Sequence, residues 1–285
     1  MAERVKRWLI GLGWGVGSRL PHWLREATVR LGSPLASRLQ LRGLDNWERN
    51  AATVTGVPPT RGERRELTAS WLRNTLMSLS LGYWSDDAVL SRVKMSDADL
   101  AALHDSLARR GAVLALGHSG SWDLAGAWGA RQGIKVVSVA ERLPAGLFEH
   151  FRVAREAMGM TIYPVGEPDL LAKLAAHVRN HEAVCLLADR DVSGQGIKVP
   201  WPGTDRCVPV PAGPALLAAM TEADLLVANV HFEGDAIHIT LSDPVPVTSA
   251  TETMTRVVAL LGDEARRHPT SWLRLGGFGE PCANS

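Results

Sequence analysis

The chain has 285 residues, 46% of them hydrophobic and 21% charged, which excludes disordered and fibrous classes and suffices for one large core or two modest ones. Its three cysteines, Cys185, Cys207 and Cys282, are odd in number and widely spaced, with no CxxC or HExxH, so a reducing cytoplasm and no structural metal are expected. The net charge of +1 conceals an asymmetry: residues 1–43 carry eight Lys or Arg against two Glu, a net +6, and the rest of the chain carries −5.

That basic stretch is also amphipathic. Apolar residues recur at Val5, Trp8, Leu9, Leu12 and Val16, then at Leu20, Trp23, Leu24, Ala27 and Leu31, the i, i+3, i+4, i+7 stripe of a helix. Trp and Leu on one face with Arg on the other suit the headgroup region of an anionic membrane. The alternative is a helix packed on its own domain with a solvated basic face, since glycines at 11, 13, 15 and 17 each weaken an isolated helix by about 1 kcal/mol. The run "WLIGLGWGVG" is too short for a bilayer crossing, and no A-x-A cleavage site follows it. Residues 1–45 are therefore expected to form a membrane-associating helical segment and 46–285 an α/β domain.

Helical patterns continue to about residue 92, including "RRELTASWLRNTLMSLSLGYW". The pattern then alternates: helix 97–110, strand 112–117, helix 121–132, strand 134–140, helix 144–158, strand 160–165, helix 168–180 and strand 183–188. A helix at 211–221, strands 225–233 and 236–241, and a helix at 250–268 follow. Strands separated by helices of this length predict a mostly parallel central sheet sandwiched by helices. The segment 189–210 reads as a long irregular loop, the kind that often lines a site.

The strand "GAVLALGH" delivers His118 to its C-terminal end, just before a helix, in "LALGHSGSWDLAG". Ligands of open α/β sheets bind outside the carboxyl ends of the strands. Three histidines have an acid five positions on: His118 with Asp123, His177 with Glu182, and His238 with Asp243. His177 sits late in a helix, where its partner lies about 140° around the axis or beyond the helix end. His238 sits in a strand, where an odd separation points the two side chains to opposite faces. Only His118 lies where chemistry is expected, with Ser121 as N-cap and Asp123 in the first helical turn, able to orient the imidazole as a general base.

Two other readings of these letters exist. "GHSGS" approaches the G-x-S-x-G nucleophile elbow around Ser119, but Ser121 stands where the elbow needs glycine. A structural histidine at a βα turn is the plainer alternative. No G-x-x-x-x-G-K-[ST] phosphate loop occurs.

Four blocks, "GAVLALGHSGSWDLAGAW", "VAERL", "CLLADRDVSGQGIKV" and "VPVPAGPALLA", resemble in order and spacing those of the bacterial late lipid acyltransferases, most of all their actinobacterial phosphatidylinositol mannoside branch. The resemblance spans about residues 50–275. It implies an α/β sandwich bound peripherally to the cytoplasmic face of the plasma membrane. There an acyl chain would pass from acyl-CoA to a mannose hydroxyl of a phosphatidylinositol mannoside, without a cofactor or a nucleic-acid partner. By position it implies His118 as base and Asp123 as its partner, with Glu141, Arg155 and Asp189 around the site. The mannoside branch has Glu at the position of Asp189, whereas the lipid A branch has Asp as this chain does, and Ser121 replaces a common asparagine. Arg190 reads either as a substrate contact or as the ion-pair partner of Asp189.

Overall fold

The computed structural model describes residue 15, residues 17–143 and residues 147–282. The N-terminal stripe from Val5 to Val16, with Arg4, Lys6 and Arg7, lies outside the described residues. Helices α1 (His22–Ala36), α2 (Arg42–Thr55) and α3 (Arg61–Ser80) come first. A capping box starts α3: Thr60 Oγ1 accepts from the Glu63 amide while the Glu63 carboxylate accepts from the Thr60 amide. α1 packs on α3, where Glu26 pairs with Arg73 at 3.1 Å. α2 runs through position 45, where the membrane segment was expected to end.

The rest is built on a seven-stranded sheet in the order β1-β9-β8-β2-β5-β3-β4. Its strands are β1 (Val93–Met95), β2 (Ala112–Leu116), β3 (Val136–Ala140), β4 (Met160–Pro164), β5 (Ala183–Leu187), β8 (Asp224–Glu233) and β9 (Ala236–Leu241). Every pairing is parallel except the β8–β9 hairpin. β2, "AVLAL", is buried on both faces, as a central parallel strand must be.

Alternation along the strands divides the core into two layers. Val113 and Ala115 of β2 face a cluster with Leu174 and Val178 of α8 (Leu170–Arg179), Leu217 of α9 (Gly213–Thr221) and Met254 and Val258 of α10 (Ala250–Arg267). Leu114 and Leu116 face the other layer, with Leu103 and Leu107 of α5 (Asp97–Arg110) and Leu124, Ala127 and Trp128 of α6 (Trp122–Arg131). Two short helices, α4 (Asp86–Leu90) and α7 (Leu147–Ala157), complete this side. A third cluster joins Leu44, Trp47 and Ala51 of α2 and Leu67 of α3 to Leu273. The sandwich is the one the alternating pattern predicts.

Two expectations are corrected. The stretch 189–210 contains β6 (Ile197–Pro200) and β7 (Arg206–Val210), an antiparallel hairpin joined by β10 (Glu280–Pro281) into a second, three-stranded sheet. Val199, Val208 and Val210 bury completely against the main core, while Pro200 and Pro209 mask the strand pattern in the sequence. Pro209 is tolerated because β10 pairs only with Arg206 and Cys207. The second correction concerns cysteine: Cys207 and Cys282 form a disulfide, so the three residues no longer argue for a reducing compartment.

Candidate active site

β2 and β5 are neighbours with Leu116 opposite Leu187, so each strand's second residue beyond that pair, His118 and Asp189, arrives level at the carboxyl edge. The side chains meet there. Nδ1 of His118 lies 2.5 Å from Oδ1 of Asp189, and the His118 amide donates to Oδ2 at 3.1 Å. Asp189 is fully buried. Trp272 Nε1 donates to the same Oδ2 at 3.1 Å, and the Arg274 guanidinium donates to the Asp189 carbonyl. Burial alone would raise the Asp189 pKa, but the charge and hydrogen bonds of His118 and the charge of Arg274 outweigh it and hold the carboxyl well below its ordinary value. With Nδ1 taken, Nε2 is the nitrogen left to exchange a proton with a substrate.

The pairing of His118 with Asp123 is therefore corrected. Asp123 is almost completely buried and accepts from Nε and Nη2 of Arg155, at 2.7 and 3.2 Å, a two-point ion pair between α6 and α7. The strand register supplies His118 with its acid, and the helix turn does not. His177 also departs from expectation and meets the acid five positions on: its Nδ1 lies 2.6 Å from Oε2 of Glu182. α8 has ended by then, and His181 at φ +60° turns the chain back so that Glu182 returns to it.

Ser121 caps α6 as expected, its Oγ accepting from the Leu124 amide at 3.4 Å. Gly120 has φ +59°, and a Cβ there would come within 3.0 Å of Val230, so this turn admits only glycine without rearrangement. The Gly120 amide donates to Ser271, and the Leu273 amide donates to the His118 carbonyl, which clamps the histidine loop against the segment after α10. Ser119 does not form an elbow: it is buried and its Oγ has no hydrogen-bond partner among the described residues.

Glu141 follows β3 and is half exposed, 3.8 Å from Arg190. Arg190 thus pairs with Glu141, and the cation beside Asp189 is Arg274. Sequence reasoning missed Trp272 and Arg274. The only signal was a tryptophan and an arginine in "SWLRLGG", a stretch with no secondary-structure pattern, yet both are buried.

Beside these polar groups a cavity of about 240 Å³ runs between the sheet and α6. Asp123, Glu141 and Arg155 line it, and its walls are apolar, among them Leu116, Trp128, Ile162 and Ile239. Gly126 lets the sheet approach α6, since a Cβ there would meet Met160 Sδ at 2.4 Å. Cys185 also lines the cavity, and burial pushes its thiol up to about 12, which makes it a core residue and a poor nucleophile. Elsewhere, His231, Glu264 and His268 place ligand-type atoms within 4.8 Å of one another, but Glu264 already holds His231 at 2.8 Å and Arg267 at 2.9 Å.

A buried acid behind a histidine, at a strand end and beside an apolar cavity, suits transfer of a fatty chain to a hydroxyl. Comparison with known proteins gives the family. Residues 1–276 match the family described as bacterial lipid A biosynthesis acyltransferase. Phosphatidylinositol mannoside acyltransferase of Mycolicibacterium smegmatis is 33% identical over 234 residues, covering 78% of this chain and 74% of the relative. Its counterpart in Mycobacterium tuberculosis H37Rv is 32% identical over 301 aligned positions, covering 94% and 86%. The chain belongs to the bacterial lipid A biosynthesis acyltransferase family and is an acyltransferase.

Proposed function

We propose that the protein transfers a fatty acyl chain from acyl-CoA to a mannose hydroxyl of a phosphatidylinositol mannoside at the cytoplasmic face of the membrane. The observation that carries the catalytic part is the 2.5 Å contact between His118 Nδ1 and the ionised, fully buried Asp189. Asp189 fixes the tautomer that leaves Nε2 unprotonated and stabilises the imidazolium once formed.

The hydroxyl oxygen attacks the thioester carbonyl carbon while Nε2 takes its proton. The tetrahedral intermediate collapses, the C–S bond breaks, and the departing CoA sulfur takes that proton back from the imidazolium. No residue of the protein becomes acylated. The apolar cavity beneath α6 holds the acyl chain and leaves the thioester at its polar end. Glu141 accepts hydrogen bonds from sugar hydroxyls, while Arg190 and Arg155 face the phosphates of donor or acceptor.

Membrane attachment rests on residues 1–45. In α1 the buried side chains are Arg25, Val29 and Ser33; of the apolar stripe read from the sequence, Trp23 and Leu31 are each at least 69% exposed while Leu20, Leu24 and Ala27 are half-buried, so only part of it faces outward. Such a face with flanking arginines suits an anionic bilayer surface. Among the described residues no helix is long and apolar enough to cross a membrane, and the attachment proposed is a peripheral one.

The test is incubation of the purified protein with radiolabelled palmitoyl-CoA and phosphatidylinositol mannosides, with mass analysis of the product. An added palmitoyl group on mannose is expected. Label released only as free palmitate would overturn the transfer reading.

A further inference from the structure

Away from the acyl site, the start of α1 and the segment from Tyr83 to Arg92 line a basic cavity of about 320 Å³, and Asp235 of the β8–β9 turn reaches His22 and Arg92 beside it. Arg25, only 7% exposed, donates from Nη1 to the Leu20 carbonyl and lies 4.5 Å from the centre of the Trp84 ring. Arg92 lies 5.2 Å from the same ring, and Arg19 sits 5.3 Å from the Tyr83 ring. His22 joins them in the lining.

The counter-charge is short. Asp235 serves both His22, at 3.3 Å, and Arg92, at 3.4 Å, and is itself 43% exposed. Glu26 is committed to Arg73. Among the described residues, Asp235 is the one carboxylate in contact with these cations, and Glu26, bound to Arg73, reaches Arg25 and His22 only through its charge. The approach of Asp235 to Arg92 Nε makes no hydrogen bond, so this buried donor has no acceptor among the described residues. Burial, with the charge of Arg92 added and that of Glu26 opposing, pulls the Arg25 pKa below its ordinary value.

The place in the fold is also informative. β8 runs on through Asn229–Glu233 beyond its last pairing with β2, at Ala228, an overhang of about 17 Å at ordinary strand rise. The hairpin turn and the basic cavity therefore stand at the same carboxyl edge of the sheet as His118.

We propose that this cavity binds a phosphate-bearing anion, with the phosphate seated between Arg25 and Arg92 and Arg19 closing over it. Guanidinium groups match phosphate oxygens in two-point geometry, and the anion supplies the charge that the pocket lacks. Three sources share this chemistry: a lipid headgroup, a free phosphate and the phosphates of CoA. Tyr83, 61% exposed, adds an aromatic ring to the rim of the site. The inference does not rest on acyl transfer, because binding is measured without turnover.

The experiment is titration of the full chain with inorganic phosphate, inositol phosphate and CoA, together with flotation on phosphatidylcholine vesicles with and without phosphatidylinositol. Arg92→Gln and Arg19→Gln are compared with the wild type, and unchanged melting of each variant shows that it folds. At least one probe is expected to bind about tenfold more weakly to each variant, the loss of one charge-assisted contact. Loss confined to phosphatidylinositol vesicles identifies a headgroup, loss with inositol phosphate or inorganic phosphate a free anion, and loss with CoA the donor. CoA held at the acyl site is insensitive to both changes and is thereby separated. If no probe binds, or if both variants bind every probe as the wild type does, the proposal is overturned.

Discussion

Asp189 stays ionised although no part of it meets water, because each surrounding group favours its charge: the His118 ring and amide, the Trp272 indole and the Arg274 guanidinium. A carboxyl whose folded-state pKa lies below its unfolded value contributes stability above the unfolded pKa, about 4, and loses it as pH falls toward the folded value. Asp189→Asn should therefore melt below the wild type at pH 7, and the gap should narrow steadily below about pH 4 in calorimetric scans. A gap independent of pH would assign Asp189 a packing role only. Asp123→Asn has a different expected outcome. It leaves Arg155, 16% exposed at its side chain, without its ion pair, and removing one partner of a buried pair costs about 3 kcal/mol, read as a lower denaturation midpoint. His118 was legible because a buried strand ending in histidine before a helix is a local pattern. Its partner was not, because the meeting with Asp189 depends on the register of β2 against β5 across 71 residues of chain.

At the scale of elements, α6 does two things: its capped start follows the histidine turn, and its buried side roofs the apolar cavity. Ala125 faces that cavity, so Ala125→Phe should shorten it, shifting preference from palmitoyl-CoA toward shorter donors in competition assays. Overpacking of this kind costs about 1–3 kcal/mol, which a melting curve registers separately. The segment after α10 is the second working element. Trp47 of α2 donates to the Pro269 carbonyl, and Asn50 to those of Arg274 and Gly276, fixing the strand-like stretch that carries Trp272 to Asp189. Trp272→Phe keeps a ring in the core but removes the indole donor. The expected result is a fall in kcat of about tenfold with little change in KM for acyl-CoA, whereas a purely structural tryptophan would lower stability and leave kcat unchanged. The sequence shows the βα alternation because its periods are local. The β6–β7–β10 sheet escapes it, since two prolines interrupt short strands and β10 has only two residues.

Across the whole molecule, several parts converge on the carboxyl edge of one sheet: the histidine–aspartate pair, the polar lining of an apolar cavity at Asp123, Glu141 and Arg155, and the overhanging hairpin that meets α1. The disulfide between β7 and Cys282 ties the chain end to the second sheet and closes the strap that begins at Trp272. Composition and alternation foretold the sandwich, but not this closure, because cysteines 75 positions apart reveal their pairing only once the chain has folded. In the proposed mechanism the His118–Asp189 pair activates a substrate hydroxyl and no protein serine is acylated. The most direct test measures palmitoyl transfer to phosphatidylinositol mannosides by the wild type, His118→Ala, Asp189→Asn and Ser119→Ala. No transfer is expected from His118→Ala, a fall on the order of 10² to 10⁴ in kcat from Asp189→Asn, and near wild-type turnover from Ser119→Ala. Full activity in His118→Ala or Asp189→Asn, or a dead Ser119→Ala, would contradict that mechanism.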